Sequence, residues 1–301
     1  MTNGTKGAIL ALTGSLLWGS MGVMCQYLLQ DRELPAIWLI DIRMLVAGPL
    51  LLLVDYYLYA RKHGAHSFTA VWQGSKNISN MVVFGLVSIL GVQLGYLSGV
   101  YYLNVATATV FVSLAPIVML SWMCVREKKL PKVYESLCCF SAVMGVILMA
   151  TRGDITGFSF GLVEIFVALM LPLSGAIYTV QPQYIMKHYR ASNANGWGMV
   201  LAAVVLTPFI APWNVPIDLT LFDILCILYV AVFGTAIAFW AFLSSLQYIK
   251  PHIAGIYELS EALSAIFLSV WLLDVVFAGP EWVATILILV PVVYLALKHK
   301  E

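Results

Sequence analysis

The chain contains ten strongly apolar segments of about 20 residues each, separated by short polar connections. An α-helix of that length, rising about 1.5 Å per residue, crosses a hydrocarbon layer of about 30 Å. Inside lipid every backbone N–H and C=O needs an internal partner, so only helices and closed barrels can span it. The segments are about twice as long as barrel strands of about 10 residues. Since 61% of the residues are hydrophobic and only 10% are charged, we predict an all-α integral membrane protein with ten transmembrane helices.

The distribution of positive charge predicts how these helices are oriented. We place the spans at residues 7–29, 36–58, 80–102, 105–125, 133–151, 161–184, 196–213, 221–247, 251–273 and 281–298. With a cytoplasmic N-terminus, thirteen Lys and Arg residues lie on the cytoplasmic side, and only Arg32 and Arg152 lie on the other. Cytoplasmic loops carry such an excess of Lys and Arg. We therefore predict a multi-pass protein of the inner (cytoplasmic) membrane with both termini in the cytoplasm.

Ten spans divide into two sets of five, and an odd number in each set inverts the second set relative to the first. A weak repeat in the sequence supports this division. The stretch from Gly145 to Arg152 matches the stretch from Pro291 to Lys298 in hydrophobic pattern and terminal basic residue, at an offset of 146 residues. We predict one membrane domain made of a first repeat, residues 1–152, and an inverted second repeat, residues 153–301.

Two carboxylates, Glu258 and Glu261, lie near the middle of the apolar segment from Pro251 to Leu273. A carboxylate at that depth costs roughly 2.5 to 3.5 kcal/mol on insertion scales, so it usually faces a polar cavity, a proton relay or a charged ligand. At the repeat offset the two residues stand opposite Val112 and Ala115, so only the second repeat carries them. They lie one helical turn apart and would repel each other when both are charged, which favours proton exchange. We predict that they bind a cargo and couple its transport to proton movement; the alternative is a pair of neutral, hydrogen-bonded groups that join helices.

Arg43 is a third ionisable residue inside a predicted span. It lies about eight residues past Pro35, which is too deep for it simply to join the outer loop. Asp41 is only two residues away and points elsewhere on a helix. Arg43 could therefore pair with Glu258 or Glu261, or bind a substrate carboxylate. A structural ion pair or a side chain that reaches towards the interface is the alternative.

Polar and aromatic side chains within the spans are candidates for the walls of a central binding site. They are Trp18, Gln93, Tyr96, Tyr101, Tyr178, Trp240, Gln247 and Tyr257. We prefer Trp18, Tyr96, Trp240 and Tyr257, which lie deepest, together with Gln93. Aromatic rings beside a carboxylate suit an organic ammonium group through cation–π attraction. For any single ring, packing in the core or in an interfacial aromatic belt is the alternative.

Several short motifs occur in order along the chain: Trp18-Gly19, Arg43 followed by Ala47, the run from Tyr101 to Ala108, Pro116, and Glu261. In this order and spacing the chain resembles the drug/metabolite transporter superfamily, in particular its ten-helix EamA-type members built from two five-helix repeats. The resemblance implies a secondary carrier that works by alternating access, and it singles out Glu261. The family's repeats often have a glutamate followed by a proline, whereas this chain has Ala115-Pro116 in one half and Glu261-Ala262 in the other.

These features predict a secondary active transporter that exports an amino-acid-like metabolite in exchange for protons; import of an organic cation such as a quaternary amine is the alternative. An enzyme would gather His, Asp or Ser groups near one interface, and a structural subunit has no reason to keep two carboxylates in mid-membrane. The histidines fall in or beside cytoplasmic connections and no P-loop occurs, so we predict no metal site, no cofactor and no ATP hydrolysis. The expected partners are a small-molecule substrate, a proton or other cation and the lipid bilayer, but not nucleic acid.

Overall fold

A computed structural model describes residues 3–60, 66–128, 130–151, 160–214, 218–249, 251–276 and 278–298. These residues form helices and connections and contain no β-strand. Within them, nine helices are long and apolar enough to cross a membrane, and a tenth has a shorter apolar stretch, Gly279–Leu295. The predicted all-α membrane fold with ten spanning helices is therefore confirmed.

The ten helices are α1 (Asn3–Asp31), α2 (Ala36–Asp55), α3 (Ser75–Leu103), α4 (Val105–Arg126), α5 (Val133–Thr151), α6 (Leu162–His188), α7 (Ala191–Ile210), α8 (Leu221–Ser245), α9 (Pro251–Leu272) and α10 (Gly279–Lys298). Several extend beyond their predicted apolar spans. The start of α7, predicted at residue 196, lies at Ala191, because polar residues in its first turn have partners within the protein. Ser192 and Asn193 both donate hydrogen bonds to Asp55 at the end of α2.

The helices pack in an approximately twofold pattern that relates the two halves. α1 packs against α8 and α9, and α6 packs against α3 and α4 in the same way. Equivalent helices also meet each other, since α2 packs on α7, α4 on α9, and α5 on α10. The Ser141 hydroxyl of α5 donates to the carbonyl of Leu287 in α10 at 3.0 Å, and these residues are 146 positions apart. The fold thus consists of two inverted five-helix repeats.

Two helices contain a wider, π-wound turn at nearly equivalent places. In α3 the turn covers Phe84–Ile89, and in α8 it covers Val232–Ile237, about 148 positions further on. A π-wound turn inserts an extra residue into an α-helix and is frequent at functional sites. α4 is interrupted instead: its first part ends at Val112, and a new α-helix starts at Ala115 just before Pro116. α3 and α8 therefore share an irregular turn, whereas the interruption of α4 has no counterpart in α9, which is continuous.

Buried carboxylates connect helices at both ends of the bundle. At the end where α1 begins, Asp55 accepts hydrogen bonds from Arg190 Nε at 2.8 Å and from the Ser192 hydroxyl at 2.8 Å. This contact raises the pKa of Arg190. At the opposite end, Asp223 of α8 forms an ion pair of 3.0 Å with Arg32, which follows α1. Both carboxylates are fully buried, so each end of the bundle has a polar connection between helices of different repeats.

Candidate functional site

A narrow cavity of about 40 Å³ lies in the middle of the bundle, among α1, α2, α3, α4, α6, α8 and α9. Six of the eight predicted site residues line it: Trp18, Arg43, Gln93, Tyr96, Glu258 and Glu261. The other lining residues are Met21, Val92, Val112, Gly175, Tyr178 and Phe239. Both repeats contribute, so the structure brings together residues that are widely separated in the sequence.

The carboxylates of Glu258 and Glu261 lie on the face of α9 that borders this cavity. Glu261 is buried and Glu258 is half-buried. Among the residues that the structure describes, neither side chain has a hydrogen-bond or ion-pair partner. Both also border a smaller crevice of about 10 Å³ beside the interruption of α4, where Thr109 and Ser113 lie. The carboxylates therefore separate the central cavity from a second space that contains hydroxyl groups.

Arg43 is fully buried in α2, and neutral groups hold it in place. Its Nε donates to the Thr235 hydroxyl at 2.9 Å, and its Nη2 contacts the sulfur of Met21 at 3.0 Å. Asp41 faces away, as predicted, and accepts a hydrogen bond from Thr207. Within the described part of the chain, no carboxylate lies within ion-pair distance of Arg43, and its Nη1 has no partner. Its positive charge is therefore left for a group that enters the cavity.

Five buried donor groups on the residues that line the cavity lack an acceptor among the described residues. They are Trp18 Nε1, Arg43 Nη1, Gln93 Nε2 and the hydroxyls of Tyr96 and Tyr178. An unsatisfied buried donor costs about 1 to 3 kcal/mol, and more when it is charged. Such a group in a native protein calls for an explanation, for example an unseen water or ligand. A ligand with anionic or carbonyl oxygens would satisfy several of these donors at once.

Sequence comparison identifies the family. A model of the EamA-like transporter family matches the chain twice, at residues 5–151 and 162–297. The chain belongs to this family. It is therefore a transporter of the drug/metabolite transporter superfamily, as its motifs predicted. The exact division between residues 152 and 153 stays a prediction.

One related protein and one solved structure match this chain along almost its whole length. The relative is the "Uncharacterized inner membrane transporter YicL" of Salmonella typhimurium strain LT2, which is 29% identical over 296 residues, 98% of this chain and 97% of the relative. A solved crystal structure has a TM-score of 0.65 over 99% of both chains at 12% identity. That similarity shows the same fold.

Two of the predicted site residues of this EamA-like transporter lie away from the cavity. Trp240 is 37% exposed on the surface of the bundle, and Tyr257 is half-buried without lining the cavity. The structure places Phe239 in the wall instead of its neighbour Trp240. Trp240 is predicted from its depth in the span, and depth does not decide the matter, because neighbouring residues of a helix point about 100° apart.

Tyr178 and Phe239 complete the aromatic wall. Tyr178 is among the sequence candidates for the wall but not among the preferred ones, and Phe239 is not among them. The Phe239 ring lies 5.0 Å from the ring of Trp18 and 5.5 Å from that of Tyr178, both nearly edge to face. Tyr178 lies three residues after Gly175, so both share the face of α6 that borders the cavity. The spacing was a signal that could have selected Tyr178. Three rings from α1, α6 and α8 thus enclose one side of the site.

A larger depression of about 570 Å³ opens at the end of this EamA-like bundle where α1 begins. It is bordered by Lys187, His188 and Arg190 and by Leu246 and Gln247 at the end of α8. It shares no lining residue with the central cavity. Across the described ranges, no cluster of three or more His, Cys, Asp or Glu side chains is arranged to hold a metal ion. The central cavity therefore stays the candidate site.

Proposed function

We propose that this protein is a secondary active transporter that exports a zwitterionic, amino-acid-like metabolite in exchange for protons. The observation that carries the proposal is the convergence on one buried cavity of two carboxylates and five donor groups that have no partner within the described ranges. A zwitterion has the complementary groups, because its ammonium group matches a carboxylate and its carboxylate matches a guanidinium and neutral donors. We place the protein in the inner membrane, where its relative's name places that relative, with both termini in the cytoplasm.

In this proposal the two ends of the cargo bind to different helices. Its carboxylate binds Arg43 of α2, assisted by Tyr96 and Gln93 of α3, whose donors are free. Its ammonium group binds Glu258 or Glu261 of α9. When the cargo leaves, a proton takes its place on a carboxylate, because two charged carboxylates one turn apart in a buried site repel each other. Cargo and proton therefore compete for the same residues, which is what exchange requires.

The small size of the cavity supports transport by alternating access. Sites for small molecules usually have volumes of about 300 to 1,000 Å³, whereas this cavity has about 40 Å³. Binding a cargo therefore requires helices around the site to separate. The twofold packing supplies two similar sets of contacts, α1 with α8 and α9, and α6 with α3 and α4. Opening one set while the other stays closed would expose the site to one side at a time.

Import of an organic cation is the second candidate. The three rings of Trp18, Tyr178 and Phe239 lie in the same cavity as the carboxylates, and such surroundings attract a quaternary ammonium group. This candidate does not use the unpaired guanidinium. A buried cation beside a purely cationic cargo would weaken binding, so Arg43 favours the zwitterion.

Membrane vesicles that contain the protein can test both candidates. In inside-out vesicles with an acidic lumen, proton-coupled export predicts that wild-type vesicles accumulate an amino acid and that their lumen becomes less acidic. Right-side-out vesicles supplied with choline or tetraethylammonium test the second candidate, because uptake into them corresponds to import. If no member of an amino acid panel moves with protons, the proposed export is wrong. Proton-independent uptake of a quaternary amine into right-side-out vesicles that requires Glu261 would favour the alternative.

A further inference from the structure

We propose that the π-wound turn of α8 is a positioning element for Arg43, and that Thr235 in this turn makes the site selective for a cargo that carries a carboxylate. This inference rests on the proposed zwitterionic cargo and assigns a role to residues outside the cavity wall. Thr235 is fully buried and is not among the residues that line the cavity. Its effect on the cargo would therefore pass through Arg43.

The hydrogen bonds of Thr235 fix the direction of its hydroxyl group. Its single hydroxyl proton is donated to the carbonyl of Val230, five residues earlier, at 2.8 Å. The oxygen lone pairs are then free to accept from Arg43 Nε, which lies at 2.9 Å. The contact with Val230 spans five residues, the separation of π-helical winding, so the wider turn sets the direction in which the hydroxyl accepts from Arg43.

The same turn also holds the second neutral group that contacts Arg43. Gly234 lies directly against Met21 of α1, and a Cβ atom at Gly234 would stand 2.6 Å from the Met21 sulfur and closer still to its side-chain carbons. That sulfur lies 3.0 Å from Arg43 Nη2. The turn therefore positions two of the three guanidinium nitrogens, one directly and one through Met21.

The third nitrogen, Nη1, has no hydrogen-bond partner among the residues that the structure describes, and Arg43 itself lines the cavity. Thr235 and Met21 are uncharged, so they orient the guanidinium without neutralising it. A carboxylate partner in place of Thr235 would pair with the cation and remove its attraction for an anionic ligand. The turn thus fixes the side chain and keeps its charge available, and the ligand class this favours is one with a carboxylate group.

The test compares binding of amino acids with binding of the amines that lack only the carboxylate. The probes are L-leucine with isopentylamine, L-phenylalanine with 2-phenylethylamine, and L-lysine with cadaverine. Affinities for purified wild-type protein, Thr235→Val and Thr235→Ser are measured by isothermal titration calorimetry. Thr179→Val is the matched control, because the Thr179 hydroxyl is also buried but bonds only to a backbone carbonyl of its own helix.

We expect wild-type protein to bind the amino acid of at least one pair about tenfold more tightly than the amine, as a hydrogen bond to a charged group would allow. Thr235→Val should reduce this ratio of the two affinities to about one without weakening the binding of the amine. Thr235→Ser and Thr179→Val should keep the wild-type ratio. Met21→Leu removes the sulfur contact and keeps an apolar side chain of similar size, so it should lower the ratio by about threefold. This variant provides the test if Thr235→Val does not fold.

The outcomes separate this inference from the proposed function. If wild-type protein binds no amino acid of the panel, the proposed function fails, and the positioning role fails with it. If wild-type protein prefers the amino acid and both Thr235→Val and Met21→Leu keep the full ratio, only the positioning role is wrong. A loss of affinity for both members of a pair in Thr235→Val would indicate general loss of structure and would also overturn the selective role.

Discussion

α4 and α9 occupy equivalent places in the two repeats and meet beside the central cavity, but they differ in chemistry. α9 is a continuous helix that brings Glu258 and Glu261 to the site. α4 is interrupted there and presents Val112 and Ala115 at the same offset. The packing around the two helices is similar, since α1 covers α9 as α6 covers α4. Repetition therefore supplies the helices around the site, whereas its two carboxylates belong to the second repeat alone.

Two glycines show how closely α1 packs against α9 and how closely α6 packs against α4. Gly19 of α1 lies against the backbone of α9, where an added Cβ would stand 2.8 Å from the carbonyl oxygen of Glu261. Gly175 of α6 lies less tightly against α4, where an added Cβ would stand 3.3 Å from Cβ of Ala115. The repeat that carries the carboxylates is therefore also the one held by the closer helix contact. The tight contact with α1 fixes α9, which carries the carboxylates. The looser contact with α6 leaves more room beside α4, its neutral counterpart.

The largest effect is expected when the charge that distinguishes α9 is removed. Glu261→Gln should lower the rate of coupled transport at least about 30-fold, because a charge-assisted hydrogen bond contributes about 2 kcal/mol and glutamine cannot carry the exchanged proton. The measurement is cargo uptake and luminal pH in energised inside-out vesicles. Glu164→Gln is the matched control, since Glu164 lies in the first turn of α6, away from the cavity. Coupled transport at the wild-type rate by Glu261→Gln would mean that the asymmetry between α4 and α9 is not functional.

A smaller effect, on stability, is expected from the two glycines. Gly19→Ala should lower the free energy of unfolding by about 1 to 3 kcal/mol, the usual cost of overpacking, because its new methyl group would meet a backbone carbonyl that cannot rotate away. Gly175→Ala should be nearly neutral, since its modest crowding is offset by a gain of up to about 1 kcal/mol in helix propensity. Melting temperatures of the two purified variants in detergent provide the measurement. Equal shifts would contradict the difference in packing between the two repeats.

The sequence was sufficient to predict the helices and the charged part of the site. Long apolar segments can form little else in a membrane, and the cost of a buried charge makes Glu258, Glu261 and Arg43 stand out without any coordinates. All three line one cavity. Their roles in binding and coupling stay predictions.

The details that the sequence could not give depend on irregular helix geometry. Depth in the span does not decide between the neighbours Phe239 and Trp240, which point about 100° apart and follow a π-wound turn. The contact between Thr235 and Arg43 joins residues 192 positions apart, and Thr235 lies in the same turn. Such a turn has no clear signature in a uniformly apolar segment, since hydrophobic residues surround it on every side.

The smallest effect is expected at Val112, the neutral counterpart of Glu258. Val112→Ala removes two methyl groups from the cavity wall, so it should weaken cargo binding by no more than about fivefold, the equivalent of about 1 kcal/mol of apolar contact. The maximal rate should stay close to that of wild type, because no charge or donor is lost. Transport measured over a range of cargo concentrations separates these two quantities. A fall in the maximal rate as large as that of Glu261→Gln would show that α4 contributes more than an apolar wall, and the contrast between the two repeats would then have to be abandoned.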